Sequence, residues 1–422
     1  MSGHGRRRAA GALALAGLLA IGCPQKRPAK PPDVLLVVID TLRADTVGAY
    51  GAADPITPHL DALSRKSRLY ETAIAPSPWT KPSIASLLTG LTPREHGARR
   101  GLQRDAGTPK TDRLDATLPS LPSALRSKGY ATFALQSNPH LLASLGFDQG
   151  FDEYRERPFL SADAVALEAI PILRDRPRHP LFLYVHILDP HSPYKATLAP
   201  GGLTREVTLE ALKASPVDRT LLPRAQAAYR GEVFACDRAV GRMLRAVFAP
   251  TKVIVLADHG EEFLEHGAFE HGHSLHEELL RVPMLVKDSL PTGALVAAAT
   301  PLTHVSEELM GEAHRSRPVT SEAILDGPDR IAIRYGRYKL VADLPCGTAL
   351  ELDDLEADPR ETQPIPPGDP RAAPLAAGLA AFLRQYPAHP STTGAMGPEN
   401  AEQLKSLGYV EGSQPAVPCP GK

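Results

Sequence analysis

Three things are scarce in this 422-residue sequence: cysteine (four), net charge (formally −1) and long apolar runs. Near-zero net charge shows none of the basic excess that would suggest nucleic acid, so no nucleic-acid partner is expected. The one apolar stretch, Ala9 to Ile21, is too short to remain as a membrane-spanning helix. That shortage counts against enzymes that work from several transmembrane helices. No internal repeat is visible. Beyond Cys23 the cysteines are Cys236, Cys346 and Cys419, which allow three pairings. Cys346 with Cys419 would staple the C-terminal tail to the body, whereas Cys236 sits in a helical, apolar pattern and reads as a buried small hydrophobe.

The chain is 43% apolar, enough for one large or two domains. It opens MSGHGRRRAAGALALAGLLAIGC, with three arginines before the short apolar run, the pattern of a bacterial export signal over residues 1–23. Leu18 to Cys23 resembles a lipobox, with Ala20 where leucine is usual. Lipid on Cys23 would anchor the protein to a membrane, in the periplasm or at the cell surface. Pro24, Pro28, Pro31 and Pro32 then make residues 24–32 a stiff tether.

Apolar runs alternate with helical patterns: DVLLVVID, PHLDALSRKSRLY, KPSIASLLTG, TLPSLPSALRSKGY, ATFALQS, PLFLYVHILD, the helical stretch around AYRGEVFACDRAVGRMLRAVF, and TKVIVLAD. This alternation predicts a doubly wound, mostly parallel α/β sheet flanked by helices over residues 33–300. IAIRYGRYKLVAD predicts a hairpin turning at Tyr335-Gly336-Arg337, and Ala372 to Tyr386 has helical spacing. Residues 301–412 are expected to form a smaller α+β subdomain with a small antiparallel sheet and a helix, followed by a tail over 413–422.

Ligands of open α/β sheets bind beyond the carboxyl ends of the strands. Polar residues stand at four such ends: Asp40, Asn138 with His140, Asp189 with His191, and Asp258 with His259. Each alone is as well explained by helix capping or a turn. Together they point to one site. Asp258 and His259 on a tight turn with Gly260, plus Asp40, make a mixed carboxylate and imidazole set suited to zinc or manganese better than calcium. Thr80 reads as the N-cap of a helix containing Pro82 and ending at Gly90, and a hydroxyl there, beside a cation, is also where an alkoxide would be stabilised.

The motifs DVLLVVIDTLRADTVGAYG, TPHLDAL, SPWTKPSIASLLTGL, GFDQGFDEY, HILDPHSPY, LADHGEEFLEHG, HGHSLHEELLRVP, GRYKLV, LDDLEADPRE and LKSLGYV, taken in order, resemble the sulfatase family of the alkaline phosphatase superfamily from about residue 33 to 410. That resemblance implies an alkaline phosphatase-like fold, an anionic ester substrate and one divalent metal ion (Zn, Mn, Ca or Mg). The family's metal lies between two adjacent aspartates and an Asp-Asn or Asp-His pair; the matching places hold Asp40-Thr41 and Asp258-His259. Its nucleophile is a formylglycine made from the first residue of C/S-x-P-x-R, where this chain reads Thr80-Lys81-Pro82-Ser83-Ile84.

Threonine is not converted to formylglycine, and the motif arginine is replaced by Ile84. The set Asp40, Thr80, Asp258 and His259 therefore resembles superfamily members that use a threonine nucleophile on the metal. The implied reaction is attack by metal-bound Thr80 on sulfur or phosphorus, giving a threonyl ester that water or an acceptor resolves. His191 is expected to contact the ester group and His273 or His271 to protonate the leaving oxygen, while Asn138, His140 and Lys81 line the anion pocket. The segment from His259 to His276 holds five histidines, its two ends included. His266 and His276 are read as structural, and a second metal site using Asp189 and His191 stands as an alternative. Two other functions remain open: an inactive sulfatase-fold lipoprotein that binds a polyanion or partner, and a phosphodiester transferase.

Overall fold

Asp33–Ile39 (β1) is the axis of the molecule. Seven further strands join it in one sheet: Arg68–Tyr70 (β2), Ala131–Gln136 (β3), Glu153–Glu156 (β4), Leu181–Ile187 (β5), Thr251–Ala257 (β6), Met284–Lys287 (β7) and Ala294–Val296 (β8). The order is β8-β2-β7-β6-β1-β5-β3-β4, with β7 antiparallel to both β6 and β2 and the other pairs parallel. This computed structural model describes residues 1–3, 31–103, 108–175, 180–194, 219–248, 250–288, 293–344, 346–366 and 368–407. The expected export signal, Cys23, most of the tether, Cys419 and the tail lie outside the described residues. Cys346 is disulfide-bonded and Cys236 is a buried free thiol. Among the described residues no helix is long and apolar enough to cross a membrane.

Every side chain of β5 is buried, as is nearly all of β1, which requires cover on both faces. Pro58–Ser64 (α1), Ala162–Asp175 (α4) and Leu222–Arg245 (α5) pack on one another as one layer, and Thr80–Thr89 (α2), Leu121–Ser127 (α3) and Thr303–Met310 (α7) as another. All ten residues of α2 are buried, and Ser306 of α7 donates a hydrogen bond to Leu87 O. The helix is wedged in place rather than laid on a surface.

Val319–Glu322 (β9), Arg330–Tyr335 (β10), Tyr338–Asp343 (β11) and Ala349–Asp354 (β12) form a four-stranded antiparallel sheet, over which Ala372–Gln385 (α8) packs. The expected hairpin is present: Tyr335 pairs with Tyr338, and Gly336 turns the chain at φ 59°, a conformation that glycine adopts without steric cost. Ile331, Ile333, Leu340, Leu352, Leu379 and Phe382 build a second hydrophobic core beneath α8.

Candidate functional site

Strand register brings the site together. Ile39 is paired with Ala257 on one side and Ile187 on the other, and His186 with Gln136, so the next residues of four parallel strands leave the sheet at one edge. Asp40 follows β1, Asp258 and His259 follow β6, and Asn138 follows β3. The chain turns sharply after Asp40: Thr41 sits at φ 53°, an outlier for a β-branched residue and one that costs roughly 1–3 kcal/mol. Gly260 is required by close approach, because a Cβ there would lie 1.9 Å from Glu278 O while its own N–H donates to Leu279 O at 2.8 Å.

Asp40, Asp258 and His259 are fully buried, and one ligand atom from each lies within 4.8 Å of the others. His259 Nε2 is 3.4 Å from Asp40 Oδ1 and 3.6 Å from Asp258 Oδ2. Those spacings match the roughly 3.4 Å edge of a tetrahedron with metal–ligand bonds near 2.0–2.1 Å. His259 Nδ1 donates to Gly260 O at 2.9 Å, which turns the Nε2 lone pair inward. Asp40 Oδ1 and Asp258 Oδ2 have no hydrogen bond among the described residues, although buried polar atoms are normally satisfied. A divalent cation fits this donor set.

Electrostatics agree. Burial and the charge of Asp40 push Asp258 up to about 6. Burial alone would also raise Asp40, but the hydrogen bond from His186 and the nearby imidazoles of His186 and His259 outweigh it and hold the carboxyl well below its ordinary range. His259, though buried, is lifted to about 9 by the two carboxylates. Excess negative charge is thus concentrated where a cation would sit.

The structure differs from the N-cap expectation for Thr80, because α2 begins at Thr80 and the cap residue is Trp79. The Thr80 hydroxyl lies against the same cluster, 3.3 Å from Asp40 Oδ2 and 3.3 Å from His259 Nε2.

 Asn138 Nδ2 reaches both Asp40 Oδ2 (2.6 Å) and Thr80 Oγ1 (3.3 Å), and the amide is fixed in that sense because its Oδ1 accepts from His140 N at 2.8 Å. Ser83 Oγ donates to Asp258 O at 2.7 Å, tying the first turn of α2 to the end of β6. Lys81 is buried beside Thr80, with its ammonium directed to Arg100 O at 2.8 Å, Asp112 O at 3.1 Å and the Thr111 hydroxyl.

The histidines divide into two groups. The His271 ring lies 4.5 Å from the His259 ring and 4.8 Å from His191, with Nδ1 2.7 Å from Glu261 Oε1. His191 Nδ1 donates to Ser192 O, and the His140 ring meets Trp79 edge-on at 5.4 Å. Burial keeps all three imidazoles below their ordinary pKa, helped by the charge of Lys81 at His140 and of His259 at His271. His273 instead faces Glu262 Oε2 at 2.7 Å, and Asp189 Oδ2 accepts from Ala162 N at the start of α4.

Sequence reasoning missed His186 and Glu261. His186 is fully buried inside β5, its Nε2 3.0 Å from Asp40 Oδ2 and its Nδ1 3.0 Å from the Tyr184 hydroxyl. The available signal was a histidine interrupting the apolar run LFLYVHI, since a buried polar residue is more informative than an apolar one. Glu261 bridges His271 and the Tyr194 hydroxyl, the latter at 2.9 Å.

An alkaline phosphatase-like α/β sheet with a carboxylate–imidazole cluster and a hydroxyl at its carboxyl edge defines the class of protein. More narrowly, the chain belongs to the sulfatase family, whose sequence model matches residues 32–310. It is 33% identical over 175 residues to N-acetylgalactosamine-6-sulfatase of Sus scrofa, covering 39% of this chain and 32% of that relative. The match thus spans about a third of that protein's length. It is 22% identical over 449 residues to Delta 4,5-hexuronate-2-O-sulfatase of Bacteroides thetaiotaomicron, covering 88% of this chain and 91% of that one. Among solved structures, phosphonate monoester hydrolase of Agrobacterium radiobacter superposes with a TM-score of 0.62 at 20% identity, covering 84% of this chain and 95% of that one.

Proposed function

We propose that this protein hydrolyses sulfate or phosphate esters with Thr80 as the nucleophile. The observation that carries the reading is the Thr80 hydroxyl set 3.3 Å from both Asp40 Oδ2 and His259 Nε2, at the start of a wholly buried helix. A divalent cation held by Asp40, Asp258 and His259 would supply Lewis-acid stabilisation of the anionic ester and of the attacking oxygen.

The chain's own groups then have definite tasks. Asp40 Oδ2 accepts the Thr80 hydrogen, and Asn138 holds both side chains in register. Thr80 Oγ1 bonds to sulfur or phosphorus as the bond to the leaving oxygen breaks, and that oxygen takes a proton from the Glu261–His271 pair. Burial raises Glu261 well above its ordinary pKa, so the pair holds a proton ready for transfer. His191, edge-on to His271, contacts the ester group; His140 and Lys81 add a neutral and a cationic wall to the anion pocket. Water then gives a proton to the emptied Glu261–His271 pair as its oxygen bonds to sulfur or phosphorus, and the Thr80 oxygen leaves, taking back the proton accepted by Asp40, so that sulfate or phosphate is released and Thr80 is restored. A proton-donor role falls to His271 rather than His273, because only His271 makes a ring contact with His259.

The relatives named above act on sulfate and phosphonate esters, which supports the substrate class. The proposal extends to an exported protein carrying lipid on Cys23, with the catalytic domain over residues 33–300. The test is turnover of aryl sulfate, a phosphate monoester and a phosphodiester by the protein lacking residues 1–23, under several divalent metals, beside Thr80→Ala and Asp258→Ala. Metal-dependent turnover lost in both variants is expected. Failure on every ester, with no metal bound, would favour an inactive polyanion-binding protein.

A further inference from the structure

We propose that Glu262, His266, His276 and Glu278 bind a second divalent cation, zinc, as a structural clip beside the catalytic turn. The four residues each offer one ligand atom, and these atoms lie within 4.8 Å of one another. None belongs to the Asp40 cluster, and the proposal does not depend on the function of that cluster.

Hydrogen bonding orients the ligands. His266 Nε2 lies 3.0 Å from Arg360 O and 3.3 Å from Glu361 O, which can only accept, so Nε2 carries the hydrogen and Nδ1 presents its lone pair. That lone pair faces Glu278 Oε1 at 2.7 Å. Two acceptors in such contact need a proton or a cation between them. Glu262 Oε1 is pinned by the amides of His266 (3.0 Å) and Ala268 (2.9 Å), while its Oε2 receives His273. His276 Nδ1 is 3.1 Å from Ser274 Oγ, and its ring stacks on His266 with centroids 3.6 Å apart. Stacked imidazoles that close are unfavourable as two cations but compatible as two neutral ligands.

Two carboxylates and two neutral imidazoles balance a 2+ ion, and this nitrogen and oxygen set suits zinc. A tetrahedral zinc shell has edges of about 3.4 Å, so atoms at the 4.8 Å limit would draw in by up to about 1.4 Å, while His266 Nδ1 and Glu278 Oε1, 2.7 Å apart, would open by about 0.7 Å. Glu278 lines a cleft of ≈ 680 Å³, which gives the ion a route from solvent. The clip would join the Glu262–Phe263 strand to Glu277–Leu280 (α6), whose Leu279 O receives the Gly260 N–H, and so brace the turn carrying Asp258 and His259.

Zinc content after dialysis, measured by elemental analysis on the folded full chain, tests this. Wild type should hold two zinc ions, Asp258→Ala one, and Asp258→Ala combined with His266→Gln and His276→Gln none. In the Asp258→Ala background, zinc should raise Tm relative to chelator-treated protein, and Glu278→Gln should diminish that rise without the risk of deleting a ring. A folded Asp258→Ala protein with no bound zinc and no zinc-dependent Tm shift overturns the proposal and leaves a His266–Glu278 ion pair. Because the decisive readout is made with the catalytic cluster disabled, failure of the Asp40 site cannot be mistaken for failure of the clip.

Discussion

Replacing His186 with alanine probes the least obvious part of the site. Asp40 Oδ2 takes hydrogen bonds from Asn138 at 2.6 Å, His186 at 3.0 Å and Thr80 at 3.3 Å, in a position with no exposure to solvent. His186→Ala removes the one donated by an imidazole; a hydrogen bond to a charged group is worth about 1.5–3 kcal/mol. It also strips the Tyr184 hydroxyl of its acceptor, at roughly 1–3 kcal/mol for a buried unsatisfied group. Allowing for non-additivity, a loss of about 3–5 kcal/mol is expected in urea unfolding of the metal-free protein. Partners that orient a metal ligand typically alter affinity about 10–100-fold, so the divalent-cation Kd should weaken by that factor. Competition against a chromophoric chelator measures it. His186→Gln, which can still donate to Asp40, should recover part of the affinity. A folded His186→Ala protein that binds metal as tightly as wild type would refute the view that His186 positions Asp40.

Other outcomes follow from the same geometry. Because His259 is lifted to about 9, metal binding near pH 7 should release one proton, and affinity should climb about tenfold per pH unit from roughly 6 towards 9 before levelling; calorimetry in buffers of different ionisation enthalpy reads this directly. His96 is buried with its pKa lowered to about 3, its Nε2 3.2 Å from Pro82 O and its Nδ1 accepting from Ala98 N at 3.1 Å, so protonation would set two donors against each other. The unfolded chain therefore binds the extra proton first, and stability should fall below about pH 6.5 by about 1.4 kcal/mol per unit. Between pH 7 and 5, urea unfolding should show His96→Gln losing about 2 kcal/mol less than wild type. Gly260→Ala places a methyl 1.9 Å from Glu278 O and must displace α6; a lowered Tm with weaker metal binding is expected, and unchanged values would contradict the close approach.

How much of this was legible beforehand depended on the kind of signal. The long apolar strands β1, β5 and β6 could be read because burial on both faces forces uninterrupted hydrophobic runs. The short strands Arg68–Tyr70 and Glu153–Glu156 could not: three or four residues, several of them charged, show no period. Asp40, Asp258 and His259 were found by asking which polar residues end buried strands, and their convergence then follows from the register of Ile39 with Ala257. His186 escaped that question because it lies within a strand rather than after one. The surroundings of Lys81 were hidden for another reason: the carbonyls of Arg100 and Asp112 reach it through tertiary packing that no local pattern encodes.

The central claim is that Thr80 forms a covalent ester during turnover. Rapid acid quenching of the metal-loaded protein with an activated aryl sulfate or aryl phosphate, followed by peptide mass spectrometry, tests it most directly. A sulfo or phospho group on the peptide carrying Thr80, absent from Thr80→Ala together with turnover, is the predicted result. Full turnover by Thr80→Ala, or an adduct on another residue, would contradict it.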